Sequence, residues 1–148
     1  MKKYDNFNSH LKVLNRAHLE DLNNEFIISG IIYKFFIQFE LGWKVLKECL
    51  KYEGRQEAIS GSPREIIKAA YSCFNFIEED IWLKMLRDRN DCTHIYNEDM
   101  AKELANKIIN IYIPAFNRID KELREQYKDI SFGRTLNDQL FSRDKQNA

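Results

Sequence analysis

Eight consecutive residues, Arg89-Asn90-Asp91-Cys92-Thr93-His94-Ile95-Tyr96, hold a guanidinium, a carboxamide, an imidazole and a phenol. A guanidinium forks onto two phosphate oxygens and offsets charge that develops there. An imidazole, with a reference pKa near 6.5, moves protons at neutral pH. Asn90 is of a type that orients an imidazole or holds a phosphate oxygen, and Tyr96 of a type that contacts phosphate or stacks on a base. If the segment is helical, Arg89 and Tyr96 are about 700° apart, roughly 20° short of two turns, while Asn90 and His94 form an i, i+4 pair. Spacing alone still favours a solvated helix end, because arginine near a C-terminus suits the helix dipole and half-exposed histidine and tyrosine are common.

The elements that would carry this segment read as helices throughout. Five glycines and two prolines punctuate the chain, and no stretch alternates apolar with polar residues well enough to make a strand. Phe7, Leu11, Leu14 and His18 recur at helical spacing and predict a first helix from about Tyr4 to Leu22. From Phe26 to Tyr52 apolar side chains fall on nearly every face before Gly54, which predicts a central, buried or dimer-facing helix. A membrane span is disfavoured there, since Lys34, Glu40, Lys44 and Lys47 would each cost roughly 2.5–3.5 kcal/mol at mid-bilayer. Ser62-Pro63-Arg64-Glu65 has the form of a capping box with proline at the first helical position, so a third helix starts here and runs to about Phe74. Ile81, Trp82, Met85 and Leu86 mark a fourth, from near Glu78 to Thr93 or His94. Asn97 caps a last helix with Leu104, Ile108, Ile111 and Ala115 at helical spacing, which Pro114 is expected to kink. The acidic groups Glu78-Glu79-Asp80 and Glu98-Asp99 sit at helix starts and read as favourable to the dipole rather than catalytic.

Composition narrows the alternatives. A chain of 148 residues with 44% hydrophobic content supports one core, so residues 1–128 are expected to form a single domain and the polar 129–148 segment a weakly ordered tail. Lysine plus arginine and aspartate plus glutamate are equal at 23, so no global field draws nucleic acid, and any RNA contact must be local. Cys49, Cys73 and Cys92 are odd in number with no CxxC pair, which argues against a disulfide framework or zinc site and for a reducing cytoplasm. The N-terminal segment lacks the apolar run of a signal peptide. His10, His18 and His94 have no metal-ligand spacing, and no phosphate-binding glycine loop is present, so no metal and no cofactor are expected.

Four ordered segments change the odds for the polar cluster. Arg89-Asn90 followed by His94-Ile95-Tyr96 resembles the RNxxxHxY signature of the HEPN superfamily, specifically its HepT-type nucleotidyltransferase substrate-binding subunits. Phe39-Glu40-Leu41-Gly42-Trp43-Lys44 is similar to that family's FELxWK segment, Ser62 to Glu65 to its SPRE helix start, and Trp82 to Asn90 to its WLxMLxDRN run. The resemblance covers roughly Asn24 to Tyr112 and departs at Lys34 and Phe36, where the family usually has arginine and glutamate, and at Cys92-Thr93. It implies an all-α, up-and-down helical bundle that forms homodimers with two copies of the motif sharing a cleft, an arrangement that suits Phe35, Phe39 and Trp43.

For activity, the resemblance implies a metal-independent ribonuclease toxin of a bacterial toxin–antitoxin pair. Arg89 and His94 would be catalytic, Asn90 and Tyr96 supporting, and the RNA's own 2′-hydroxyl the nucleophile. Tyr96 occupies the position at which a cognate MntA-type nucleotidyltransferase attaches AMP. An adenylylated phenol would fill the cleft with bulk and negative charge and so exclude RNA. The alternative is a non-catalytic substrate-binding subunit of a two-component nucleotidyltransferase. The chain lacks the glycine-serine and paired-aspartate pattern of a catalytic nucleotidyltransferase, so a separate partner must supply that chemistry. An intact arginine–histidine pair favours the ribonuclease.

Overall fold

The computed structural model describes residues 2–91, 95 and 97–127, and among these it is all-α, without a strand. Helix α1 spans Lys2–Leu14, α2 Glu25–Tyr52, α3 Glu57–Ser60, α4 Pro63–Cys73 and α5 Glu79–Asn90. Helix α6 spans Glu98–Lys107 and passes through a π-helical segment, Ile108–Tyr112, into α7, Ile113–Gln126. The result is a helical bundle, as the punctuation of the sequence predicts. The 129–148 tail lies outside the described residues.

Helix α2 is the spine of this bundle. Asn24 caps it, its side chain accepting from Phe26 N–H at 2.9 Å and Ile27 N–H at 3.4 Å. It ends just before Gly54, whose φ of 77° is a left-handed conformation that suits glycine. By length and composition α2 would be apolar enough to cross a membrane. Instead its Phe35, Phe39, Val45 and Leu46 are wholly buried among the other helices. Its one fully buried polar side chain, Gln38, is satisfied: it donates to the Phe7 carbonyl at 3.1 Å and accepts from His10 Nδ1 at 2.6 Å.

The aromatic side chains assigned to a dimer face are a correction. Phe35 and Phe39 are 0% exposed within the single chain. Phe35 stacks on Tyr112 at 5.2 Å and tilts against Phe116 at 6.3 Å, while Phe39 meets Trp82 at 6.0 Å. One bundle hides them because two other helices bring aromatic partners of their own, which a reading of α2 alone misses. Trp43 is half-buried, its indole N–H bonded to Glu40 at 3.1 Å.

Other expectations fail at helix ends. The first helix stops at Leu14 rather than Leu22, and a short 3-10 turn, Ala17–Leu19, follows. Ala17 there fills the core in place of His18, which is exposed. Helix α5 stops at Asn90, where the Asp91 N–H returns to the Arg87 carbonyl at 2.9 Å. In the last helix Ile111 is 43% exposed and Tyr112 is buried in its place. The π turn causes this change of face. Its Ile113 N–H bonds five residues back to Ile108, and the wider turn carries the ladder past Pro114, which has no N–H.

Two predicted caps are present. Ser62 Oγ accepts from the Glu65 N–H at 3.2 Å, and Asn97 accepts from Met100 N–H at 2.8 Å. The Ser62 hydroxyl itself donates to the Glu65 carboxylate at 3.2 Å, so Glu65 reaches the cap side chain. Glu78, by contrast, makes no side-chain cap and instead receives Arg118 of α7 at 3.2 Å.

Candidate functional site

The last turn of α5 carries Asp88, Arg89 and Asn90, and each side chain takes a different environment. The helix is seated by Trp82 and Met85, both wholly buried. Two turns beyond Trp82, the chain leaves the core and becomes polar.

Asp88 points to the last helix. Its Oδ2 accepts the Tyr112 hydroxyl and an ion pair from Lys107 Nζ at 3.3 Å. Burial, reinforced by the Asp88 carboxylate, pushes the Tyr112 phenol well above its usual range, so it stays a donor. The π turn and the α5 terminus are thereby tied together one residue before Arg89.

Arg89 is held from the other side. Its Nη2 donates to Glu40 Oε1 on α2, forming an ion pair whose side chains are 35% and 30% exposed. The other Glu40 oxygen takes the Trp43 indole N–H at 3.1 Å and lies 3.9 Å from Lys44 Nζ. Arg89 Nη1 reaches Asn90 Oδ1 at 3.4 Å. Such an exposed pair adds little stability. Its consequence is geometric: one edge of the guanidinium is anchored, and its remaining N–H donors stay available to an anion.

A close contact between the same helices sets the approach. Gly42, two residues after Glu40, lies under the Trp82 ring, so that a Cβ there would fall 2.8 Å from Trp82 Cη2. The Phe39-to-Lys44 segment therefore works as a unit, with glycine admitting the tryptophan and glutamate meeting the arginine. Nothing in the sequence around Glu40 assigns it a role at the site. The separation of 49 residues between Glu40 and Arg89 hides such a pair from any local pattern.

Arg89 and Asn90 also line an open groove of about 600 Å³ between the end of α5 and the start of α4. Ser62, Pro63 and Arg64 form the α4 side; Leu83, Leu86 and Arg87 come from α5. The Ser62-to-Glu65 segment, read from sequence as a helix start only, thus shares a surface with the arginine.

Of the four predicted site residues, the structure describes Arg89 and Asn90. His94 and Tyr96 lie outside the described residues. Helix α5 ends at Asn90, and the helical-wheel relation of Arg89 to Tyr96, and of Asn90 to His94, lies outside the described residues with them. Between the two undescribed positions, Ile95 is half-buried and packs against the core.

Fold and site together define a helical-bundle protein with a polar cluster at one helix end and an arginine held beside a groove. The chain belongs to the nucleotidyltransferase substrate binding protein-like family, whose sequence model matches residues 2–125. A comparison with curated proteins returns no match.

Proposed function

We propose that this chain is the helical partner of a small MntA-type nucleotidyltransferase in the cytoplasm, and that it acts as a metal-independent ribonuclease silenced by adenylylation of Tyr96. The observation that carries this reading is the anchored Arg89, whose free donors face a groove large enough for a nucleotide. In the reaction, Arg89 binds the non-bridging oxygens of the scissile phosphate. His94 takes the proton from the adjacent 2′-hydroxyl, whose oxygen attacks phosphorus as the 5′-oxygen leaves. Asn90 and Tyr96 support the phosphate and the imidazole.

A homodimer would double the site. Its adhesive surface is not Phe35 and Phe39, which the chain's own core consumes; Leu19, Phe26 and Tyr33, at 73%, 79% and 65% exposure, are free to meet a second copy.

The second reading, a non-catalytic substrate-binding subunit, is favoured by the family's own description. One experiment separates the two. Purified chain is incubated with RNA in EDTA, beside Arg89→Ala and His94→Ala. Cleavage by the parent alone supports the ribonuclease; cleavage that requires Mg²⁺ or survives both substitutions refutes it. Mass spectrometry after co-expression with the nucleotidyltransferase should find adenylate on the Tyr96 peptide, and Tyr96→Phe should abolish it and resist neutralisation. If Tyr96→Phe is still neutralised in full, silencing is occlusion and not a covalent switch.

A further inference from the structure

The groove beside Arg89 contains more positive charge than the proposed chemistry uses. Arg64 and Arg87 line it with Arg89, against one carboxylate, Asp91. Arg89 is engaged by Glu40 and Asn90. Arg55, Arg118 and Arg124 are each in an ion pair elsewhere. Arg64 and Arg87 are exposed and make no side-chain hydrogen bond or ion pair among the described residues. In a chain whose formal charge is zero, two guanidinia without an ion pair, beside a third arginine and against the single carboxylate of Asp91, make one concavity a local anion site, although Arg87 also acts electrostatically on the Tyr112 phenol.

The rest of the lining indicates what kind of anion. Pro63, Leu83 and Leu86 give the groove an apolar surface between its arginines. Inorganic phosphate needs no such surface, whereas a nucleotide has a flat base to lay on it and a phosphate to offer each guanidinium. A volume of about 600 Å³ falls within the roughly 300–1,000 Å³ of sites for ligands of that size. The groove is open and starts at the arginine assigned to the scissile phosphate, so a strand passing through it would continue directly from the reacting nucleotide.

We propose that the α4–α5 groove is the track for single-stranded RNA flanking the cleaved bond, with Arg64 and Arg87 holding neighbouring phosphates and Pro63, Leu83 and Leu86 receiving a base. This rests on the ribonuclease reading and adds two phosphate-binding residues to it.

The test uses the full chain, a fluorescein-labelled oligoribonucleotide for cleavage, and its 2′-O-methyl form, which cannot be cleaved, for binding by anisotropy. Arg64→Ala/Arg87→Ala should weaken binding about tenfold. The slope of log affinity against log salt should fall by about 1.4, the value for two phosphate contacts to a single strand. The loss in cleavage should appear mainly in KM. Circular dichroism and the parent's elution volume report that the fold is intact. Unchanged affinity and salt slope in a parent that does cleave RNA would overturn the track alone. A parent that neither binds nor cleaves RNA would overturn the ribonuclease reading and the track together. If the double variant binds RNA normally but escapes neutralisation by the nucleotidyltransferase, the groove is a docking surface for that protein, and the track is wrong.

Discussion

The same substitution at two positions of α2 should have opposite effects. Gly30 and Gly42 are both interior to the 28-residue helix. Replacing a mid-helix glycine with alanine gains about 0.5–1 kcal/mol by restricting the unfolded chain. At Gly30 a Cβ meets nothing within 4 Å, so that gain should be realised in full. At Gly42 the Cβ would lie 2.8 Å from Trp82 Cη2, 3.2 Å from Cζ3 and 3.3 Å from Phe7 Cε2. Trp82 is 0% exposed and wedged between Phe39 at 6.0 Å and Phe116 at 5.5 Å, so it has no free direction in which to yield. Overpacking of this kind costs about 1–3 kcal/mol. The two variants should therefore differ by about 1–3 kcal/mol in urea unfolding followed at 222 nm, with Gly30→Ala above the parent and Gly42→Ala at or below it. Equal midpoints and slopes for both would refute the claim that α2 and α5 meet through the glycine.

Two further outcomes follow from the contacts around Arg89. Tyr112→Phe leaves the ring stacked on Phe35 but removes the donor to Asp88, and should cost about 1.5–3 kcal/mol in the same unfolding assay, the usual value for a hydrogen bond to a charged group. Glu40→Gln should change stability by less than about 1 kcal/mol, because the ion pair is partly solvated; on the proposed ribonuclease reading it should also reduce RNA cleavage about 10- to 100-fold through loss of a fixed guanidinium, and undiminished cleavage by a parent that cleaves RNA would show that Glu40 does not position Arg89.

Local signals were legible where a single segment decides the outcome. Ser62 and Asn97 start helices because each cap is satisfied by a backbone N–H group three residues on. The long apolar run of α2 could only be a core helix once its charges were weighed against a bilayer. What remained hidden depends on distant partners. Phe35 and Phe39 looked surplus until Tyr112, Phe116 and Trp82 supplied their neighbours. Helix α1 carries its stripe through Phe7, Leu11 and Leu14, but the break after Leu14 has no glycine or proline to announce it. At the site, residue type together with the family resemblance singles out Arg89 and Asn90 as candidates. The restraint of Arg89 by Glu40, and the groove that Arg89 and Asn90 share with Arg64, arise only when α2, α4 and α5 are packed together.

The wide turn at Ile108–Tyr112 has a consequence for how this chain can change in length. A π turn holds one residue more than an α turn of the same rise, so it behaves as an insertion absorbed within a helix. Deleting a residue elsewhere in α6 or α7 would rotate everything after it by about 100° and take Phe116, Ile119 and Leu123 off the core. Deleting Asn110 or Ile111, both exposed, would instead let the wide turn close to an ordinary one, with both flanks kept in place. A variant one residue shorter in this helix would be accommodated at that point, opposite Asp88, with the register of the bundle preserved on either side.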